Sequence, residues 1–359
     1  MEVFSGPPWV ELDEGVGFTP VPGLDLYRSP DPFRLPALRE FKDGASWTEF
    51  GIMLTAGFGE PLAYSKRIRK ILNARRDDFD IIHDNQCLGT GIGQLRELVD
   101  DGWPLLMTLH HPITVDRKLA LDKATGPYQR FTTKRWFGFL RMQVRVARRL
   151  PYVLTVSRSS KRDINAQMQV PLEKMTVVPV GVDQDVFKPY ADVTPIEGRL
   201  MVTTSSDVPM KGLLPLLEAV AKLRTERDIT LTVIGKPQEG GRVDQALDRL
   251  ILRDAVTCVT GITDEELARR YGEAQVAVVP SLYEGFSLPA IEAMACGVPL
   301  VATTGGALPE VVGTSGETGI LVEPDDPGAL AQAIGALLDD PEARARIGAA
   351  GRARVHERF

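Results

Sequence analysis

Cysteine is scarce and has no obvious partner in this 359-residue chain. Cys87, Cys258 and Cys296 are odd in number and far apart, so no disulfide framework is expected. No paired Cys/His spacing of the kind that holds zinc occurs, and no metal site is expected. Each cysteine lies in or beside an apolar segment, which predicts buried free thiols in a reducing cytoplasm. Basic charge is not in excess: 42 Lys and Arg face 48 Asp and Glu, a net −6, so no nucleic-acid partner is expected. No apolar run approaches the roughly 18 residues that span a bilayer. The first residues lack the apolar stretch of a signal peptide, and a cytoplasmic location is expected. Internal repeats and low-complexity tracts are also lacking.

What is present is the composition of a soluble globular protein, 43% hydrophobic and 25% charged, long enough for two domains. After a first strand at MEVFSGPP, residues 7–48 are rich in Pro and Gly and read as long loops with short strands. Apolar runs at 78–85, 104–111, 152–157 and 175–183 read as strands, with helices at 61–76 and 135–150 and a helix cap at Ser157–Ser160. Residues 184–198 lose this periodicity and read as a linker. Beyond it, six strands (199–206, 229–235, 255–261, 276–281, 299–304, 319–323) alternate with helices, and a basic helix closes the chain. The pattern predicts an α/β fold with mostly parallel sheets, as two Rossmann-like domains, 1–188 and 189–359, facing across a cleft. Ligand-contacting loops are then expected at the carboxyl ends of the strands.

The stretch 276–304, VAVVPSLYEGFSLPAIEAMACGVPLVATTG, organises the rest. A buried strand runs into a loop carrying Gly285, and Pro289 suits the first position of a helix. Free N–H groups at Phe286, Ser287 and Leu288, with the helix dipole behind them, suit a phosphate. Glu284 and Glu292 flank the loop and can accept hydrogen bonds from the vicinal hydroxyls of a sugar or ribose. Lys211, in SSDVPMKG, stands at a helix start where a cation is unfavourable unless an anionic ligand accompanies it. Its role would be to neutralise charge on a departing diphosphate. His110 and His111 end the strand PLLMTLHH, and His83 sits similarly at a strand end, as a structural or acceptor-contacting group. GTGIGQL (89–95) has G-x-G-x-G spacing, not the dinucleotide-binding G-x-G-x-x-G. Arg141, Arg145, Arg148 and Arg149, near Trp136, Phe137 and Phe139, are either a solvated helix face or a peripheral contact for anionic lipid.

EGFSLPAIEAMACGVPLVAT, with Glu284 and Glu292 in E-x7-E, resembles the donor-binding signature of retaining GT-B glycosyltransferases of family 4. VPVGVDQDVFKP (178–189), Lys211-Gly212 and GALPEVV (306–312) are similar to other motifs of that family, as are IIHDNQCLG (81–89) and TLHHPITVD (108–116). The resemblance implies an acceptor-side N-terminal domain and a nucleotide-sugar-binding C-terminal domain. It implies transfer of a sugar from a nucleotide diphosphate sugar, with retention, without metal or other cofactor, to a sugar, lipid or small-molecule acceptor. It places Glu284 on the sugar hydroxyls, Glu292 on the ribose, Lys211 on the diphosphate and the Gly285–Leu288 backbone on phosphate and sugar. Thr260 and Gly261 would lie near the base, and His110 near the reacting centre. Ser206 stands where the family often carries an arginine on the diphosphate. The chain begins at what resembles the family's second strand, and its last helix stops early by the same comparison. A shortened, weakly active relative, or a sugar-nucleotide-binding protein without turnover, is therefore the alternative expectation. A glycosidase with Glu284 and Glu292 as acid and base is disfavoured, because both flank a phosphate-type loop and not opposite faces of a sugar.

Overall fold

The computed structural model describes residues 1–28, 31, 33–93, 104–204 and 208–359. Two compact units emerge: residues 1–155 with 161–177, and residues 156–160 with 178–359. The segment 178–188 clusters with the second unit, where Phe187 enters the apolar core.

In the first unit, β1 (Glu2–Ser5) and β2 (Gly17–Pro20) form a parallel pair. β3 (Ile82–Asn85), β4 (Leu105–Leu109), β5 (Val153–Thr155) and β6 (Met175–Val177) form a second, wholly parallel sheet in that order. Leu105, Met107 and Leu109 alternate into the core beside Ile164 and Met168. The helix Gly44–Leu54, whose first turn falls at the end of the stretch 7–48 read as loop, starts at Asp43, whose carboxylate accepts from the Ser46 N–H at 2.7 Å. Its apolar residues do not form one stripe: Met53 is buried while Trp47 and Leu54 are exposed, so helical periodicity is weak. The segment 135–150 is two helices, Pro127–Trp136 and Leu140–Ala147, separated by a 3-10 turn around Gly138.

The glycines of GTGIGQL have a packing role. A Cβ on Gly89 would lie 2.0 Å from the Ser65 Cβ, and one on Gly91 1.9 Å from the Ser65 carbonyl oxygen. They let the chain touch the helix Glu60–Ala74; Gln94 and Leu95 lie outside the described residues.

The second unit contains the six expected strands, all parallel: β7 (Arg199–Thr203), β8 (Thr230–Ile234), β9 (Val256–Val259), β10 (Val276–Val279), β11 (Leu300–Thr303) and β12 (Ile320–Val322). Their order is β12-β11-β10-β7-β8-β9. β10 and β11 are buried throughout, as strands covered by helices on both faces must be. Cys258 lies on the edge strand β9 and is exposed, which corrects the expectation of three buried thiols; Cys296 is buried and Cys87 half-buried.

The basic closing helix, Pro341–Arg358, uses its arginines on helix ends. Arg352 donates to the Ala295 carbonyl at 2.8 Å, and Arg354 to those of Glu310 and Val311 at 2.7 and 2.8 Å. A guanidinium there satisfies carbonyls that a helix C-terminus leaves open.

Candidate functional site

The chain leaves β7 toward β8 and β9, then returns to place β10 on the other side of β7. This reversal is the switch point of an open parallel sheet, where the loops after the two strands diverge and leave a crevice. The two loops are those carrying Lys211 and Glu284. Residues Val276 and Ala277 pair with Leu200 and Met201, which sets the loops side by side. Lys211 Nζ donates to Glu284 Oε1 at 2.9 Å, and the Ser281 hydroxyl donates to the same oxygen at 2.7 Å. Among the described residues, Glu284 Oε2 has no partner, so a nearly buried carboxylate retains one oxygen for a ligand.

Glycine makes the approach possible. Gly212 adopts φ +67°, and a Cβ there would lie 1.9 Å from the Pro280 carbonyl oxygen, while the Leu282 N–H donates to the Met210 carbonyl at 2.7 Å. Gly306, at φ +64°, sits against Glu284, where a Cβ would come within 2.2 Å of its carbonyl oxygen. Gly212→Ala is expected to lower the melting temperature by several degrees, since the left-handed backbone alone costs about 1–3 kcal/mol before the overlap is counted. A wild-type melting curve for that variant would refute the tight loop packing.

The loop beyond Glu284 is held from behind. The hydroxyls of Ser157 and Ser160 donate to the Gly285 carbonyl at 2.7 and 3.0 Å. Phe286 turns its ring into the core, edge-on to Phe359. Ser287 takes φ +105° ahead of the helix Leu288–Ala295, which starts one residue before Pro289. Its hydroxyl is buried and finds no partner among the described residues. The N–H groups of Gly285, Phe286, Ser287 and Leu288 likewise meet no acceptor among them. Open donors, a helix N-terminus and an orphaned hydroxyl are groups that can hold an anion.

Glu292 lies one turn into that helix. Burial pushes its carboxyl up to about 7, with a hydrogen bond from Tyr271 opposing and Asp264 adding to the rise. The Tyr271 hydroxyl, itself buried, is 3.2 Å from Glu292 Oε2 and 2.9 Å from the Thr203 hydroxyl. Thr260 and Gly261 follow β9, three strands from β10 along the same carboxyl edge, about 14 Å away at the usual strand spacing. Ser206 lies outside the described residues.

His110 belongs to the first unit. It follows β4, with Nε2 2.7 Å from Asn85 Oδ1 and its N–H donating to Gln86 Oε1 at 2.7 Å. Burial, then the neighbouring His111 and His83, push its pKa down, which keeps the imidazole neutral near pH 7. His111 instead meets Asp116 Oδ2 at 2.9 Å, and His83 the Thr108 hydroxyl at 2.7 Å. Asp84 is buried beneath this strand end, accepts from the N–H groups of Cys87 and Leu88, and has its carboxyl raised to about 6 by burial.

Sequence reasoning did not assign Ser281 or Tyr271 to the site, and it read Ser157–Ser160 only as a helix cap and Gly306 only as the start of the GALPEVV motif. The glycine pair in ATTGG and the serine in PSLYEG offered a further signal. Glu310, in the GALPEVV motif, accepts from the N–H groups of Arg158 and Ser159, within the second unit, at 3.0 and 3.1 Å. Among the described residues, no three His, Cys, Asp or Glu side chains gather as a metal-binding group, and no helix is long and apolar enough to cross a membrane.

Two Rossmann-like units, with open N–H groups at the switch point of the second, are the architecture of a nucleotide-binding α/β protein. Residues 27–186 match the family described as Glycosyltransferase Family 4 and residues 193–354 that described as Glycosyl transferases group 1. A protein of Mycolicibacterium hassiacum named MMP alpha-(1->4)-mannosyltransferase is 47% identical over 360 residues, covering 100% of this chain and 86% of its own. A D-inositol 3-phosphate glycosyltransferase of Streptomyces scabiei is 30% identical over 78% of this chain and 64% of its own, so that the match spans less than two thirds of that protein. Among solved structures, a sucrose-phosphate synthase of Thermosynechococcus elongatus shares the fold with a TM-score of 0.71 at 24% identity, over 96% of this chain and 85% of its own. Anabaena HepE, solved with UDP and glucose, does so with a TM-score of 0.67 at 20% identity, over 82% and 77%. The chain belongs to the family 4, group 1 glycosyltransferases and is a glycosyltransferase enzyme.

Proposed function

We propose that the chain transfers mannose from a nucleoside diphosphate donor to a hydroxyl of a sugar acceptor, with retention at the anomeric carbon and without a metal ion. The observation that carries this reading is the Lys211–Glu284 pair, 2.9 Å apart beside the open N–H groups of residues 285–288. Those N–H groups and the Lys211 ammonium offer the diphosphate the positive charge that a departing anion needs. Glu284 Oε2 accepts from hydroxyls of the donor sugar, and Glu292 from the ribose. Thr260 and Gly261 are assigned to the base, and the family resemblance assigns Ser206, which lies outside the described residues, to the diphosphate and His110 to the sugar. The bond from the anomeric carbon to the diphosphate oxygen breaks as the acceptor oxygen bonds on the same face, and the acceptor proton passes to the leaving diphosphate. The mannosyl assignment is supported by the 47% identical mannosyltransferase, whose match covers 100% of this chain and 86% of that protein.

Incubation of the protein with GDP-mannose, UDP-glucose and other nucleotide sugars, each with mannosides as acceptors and excess EDTA, tests this directly. Release of the nucleoside diphosphate with a new α-linked mannoside, read by NMR, is expected. A β-linked product overturns retention, loss of turnover in EDTA overturns metal independence, and binding without product supports the non-catalytic alternative.

A further inference from the structure

The arginines of the first unit lie in a groove. Arg141, Arg145, Arg148 and Arg149 form one stripe on and just beyond the helix Leu140–Ala147, and Arg117 faces them from the helix Thr114–Asp122. Together with Thr114 they line a cavity of about 480 Å³ that contains no carboxylate. Among the described residues, none of these five guanidinium groups forms an ion pair, whereas Arg34, Arg67, Arg199, Arg224 and Arg253 each pair with an aspartate or glutamate. Arg148 is held in place by donating Nε–H to the Met168 carbonyl at 2.8 Å. Arginine does not lose its proton in a protein, so this charge persists at any working pH. Like charges four apart on a helix repel. Five such charges in one concavity, on a chain whose net charge is −6, call for a counter-anion of high charge.

The geometry points to a compact ligand bearing two or more phosphate groups, bound by the guanidinium groups of Arg117, Arg141, Arg145, Arg148 and Arg149. Guanidinium forks match phosphate oxygens bidentately, and a groove of this size accommodates a di- or triphosphate unit. A flat anionic bilayer fits less well. The surface is concave, and the aromatic residues beside it are engaged elsewhere in the same unit: Trp136 packs on Tyr27 and Phe58 at 5.1 Å, and Phe139 on Phe58 at 5.5 Å. They are not free to anchor in lipid. This inference does not depend on the donor site, which lies in the other unit.

The test is titration calorimetry with sodium tripolyphosphate at 50 mM NaCl in the Lys211→Ala background, which removes the cation of the donor site. Binding of one tripolyphosphate, weakened at least tenfold by Arg145→Glu/Arg149→Glu and strongly by 500 mM NaCl, is expected. Thermal unfolding of the double variant confirms that it is folded, because both side chains are exposed. Absence of binding at 50 mM NaCl, or equal affinity in the double variant, overturns the proposal. So does co-sedimentation with phosphatidylglycerol vesicles that the double variant loses when tripolyphosphate does not bind, since that outcome assigns the groove to a bilayer.

Discussion

Lys211→Ala is expected to reduce kcat/KM for the nucleotide sugar by about 10²–10³-fold, the usual effect of removing one group that stabilises developing negative charge in a dry site. The ammonium stands 2.9 Å from Glu284 Oε1 and is three-quarters shielded from solvent. In the proposed reaction its charge meets the leaving diphosphate, so the loss should appear in kcat as well as in KM. The same change leaves a nearly buried Glu284 carboxylate with Ser281 as its remaining partner, and the melting temperature should fall. Adding Glu284→Gln to Lys211→Ala should recover part of that stability without recovering turnover. Steady-state kinetics with a parallel thermal melt separate the two effects. A Lys211→Ala rate within threefold of wild type would sink the assignment.

Donor affinity is expected to rise about tenfold between pH 6 and pH 8, and Glu292→Gln to flatten that profile. Burial raises the Glu292 carboxyl from the ordinary 4.5 to about 7, so at pH 6 roughly one folded molecule in ten carries the ionised group. A ribose hydroxyl donates to a carboxylate better than to a carboxylic acid, which ties binding to the ionised form. The sign for folding is the reverse. The free protein keeps a proton that the unfolded chain releases, so its stability falls as pH rises from about 4.5 to 7. A bound hydroxyl donor offsets that loss, and nucleoside diphosphate should therefore raise the melting temperature more at pH 8 than at pH 6. Calorimetric titration with the nucleoside diphosphate across this range measures the effect. A flat wild-type profile, or an unchanged slope in Glu292→Gln, refutes the ribose contact.

Helix and strand periodicity is a local property, which is why the six strands of the second unit and the loop 280–287 are legible in the order of residues alone. The helix Gly44–Leu54 is not legible there, because its apolar residues are scattered around the axis and Asp43 caps it without an amphipathic stripe. The glycines at 89 and 91 look like the start of a nucleotide loop, and a contact with Ser65 over twenty positions away explains them.

By itself the sequence determined the α/β class, the phosphate-type loop between Glu284 and Glu292, and the resemblance that comparison with known proteins bore out at family level. Tertiary structure alone decided which side chains meet. Lys211 and Glu284 are 73 positions apart, and they touch because β10 pairs with β7 and not with β9. Strand order follows from how helices pack on both faces of the sheet, and no short-range pattern encodes it. The elevated Glu292 carboxyl and the five-arginine groove arise in the same way, since desolvation and charge density belong to the packed chain and have no counterpart in the order of its residues.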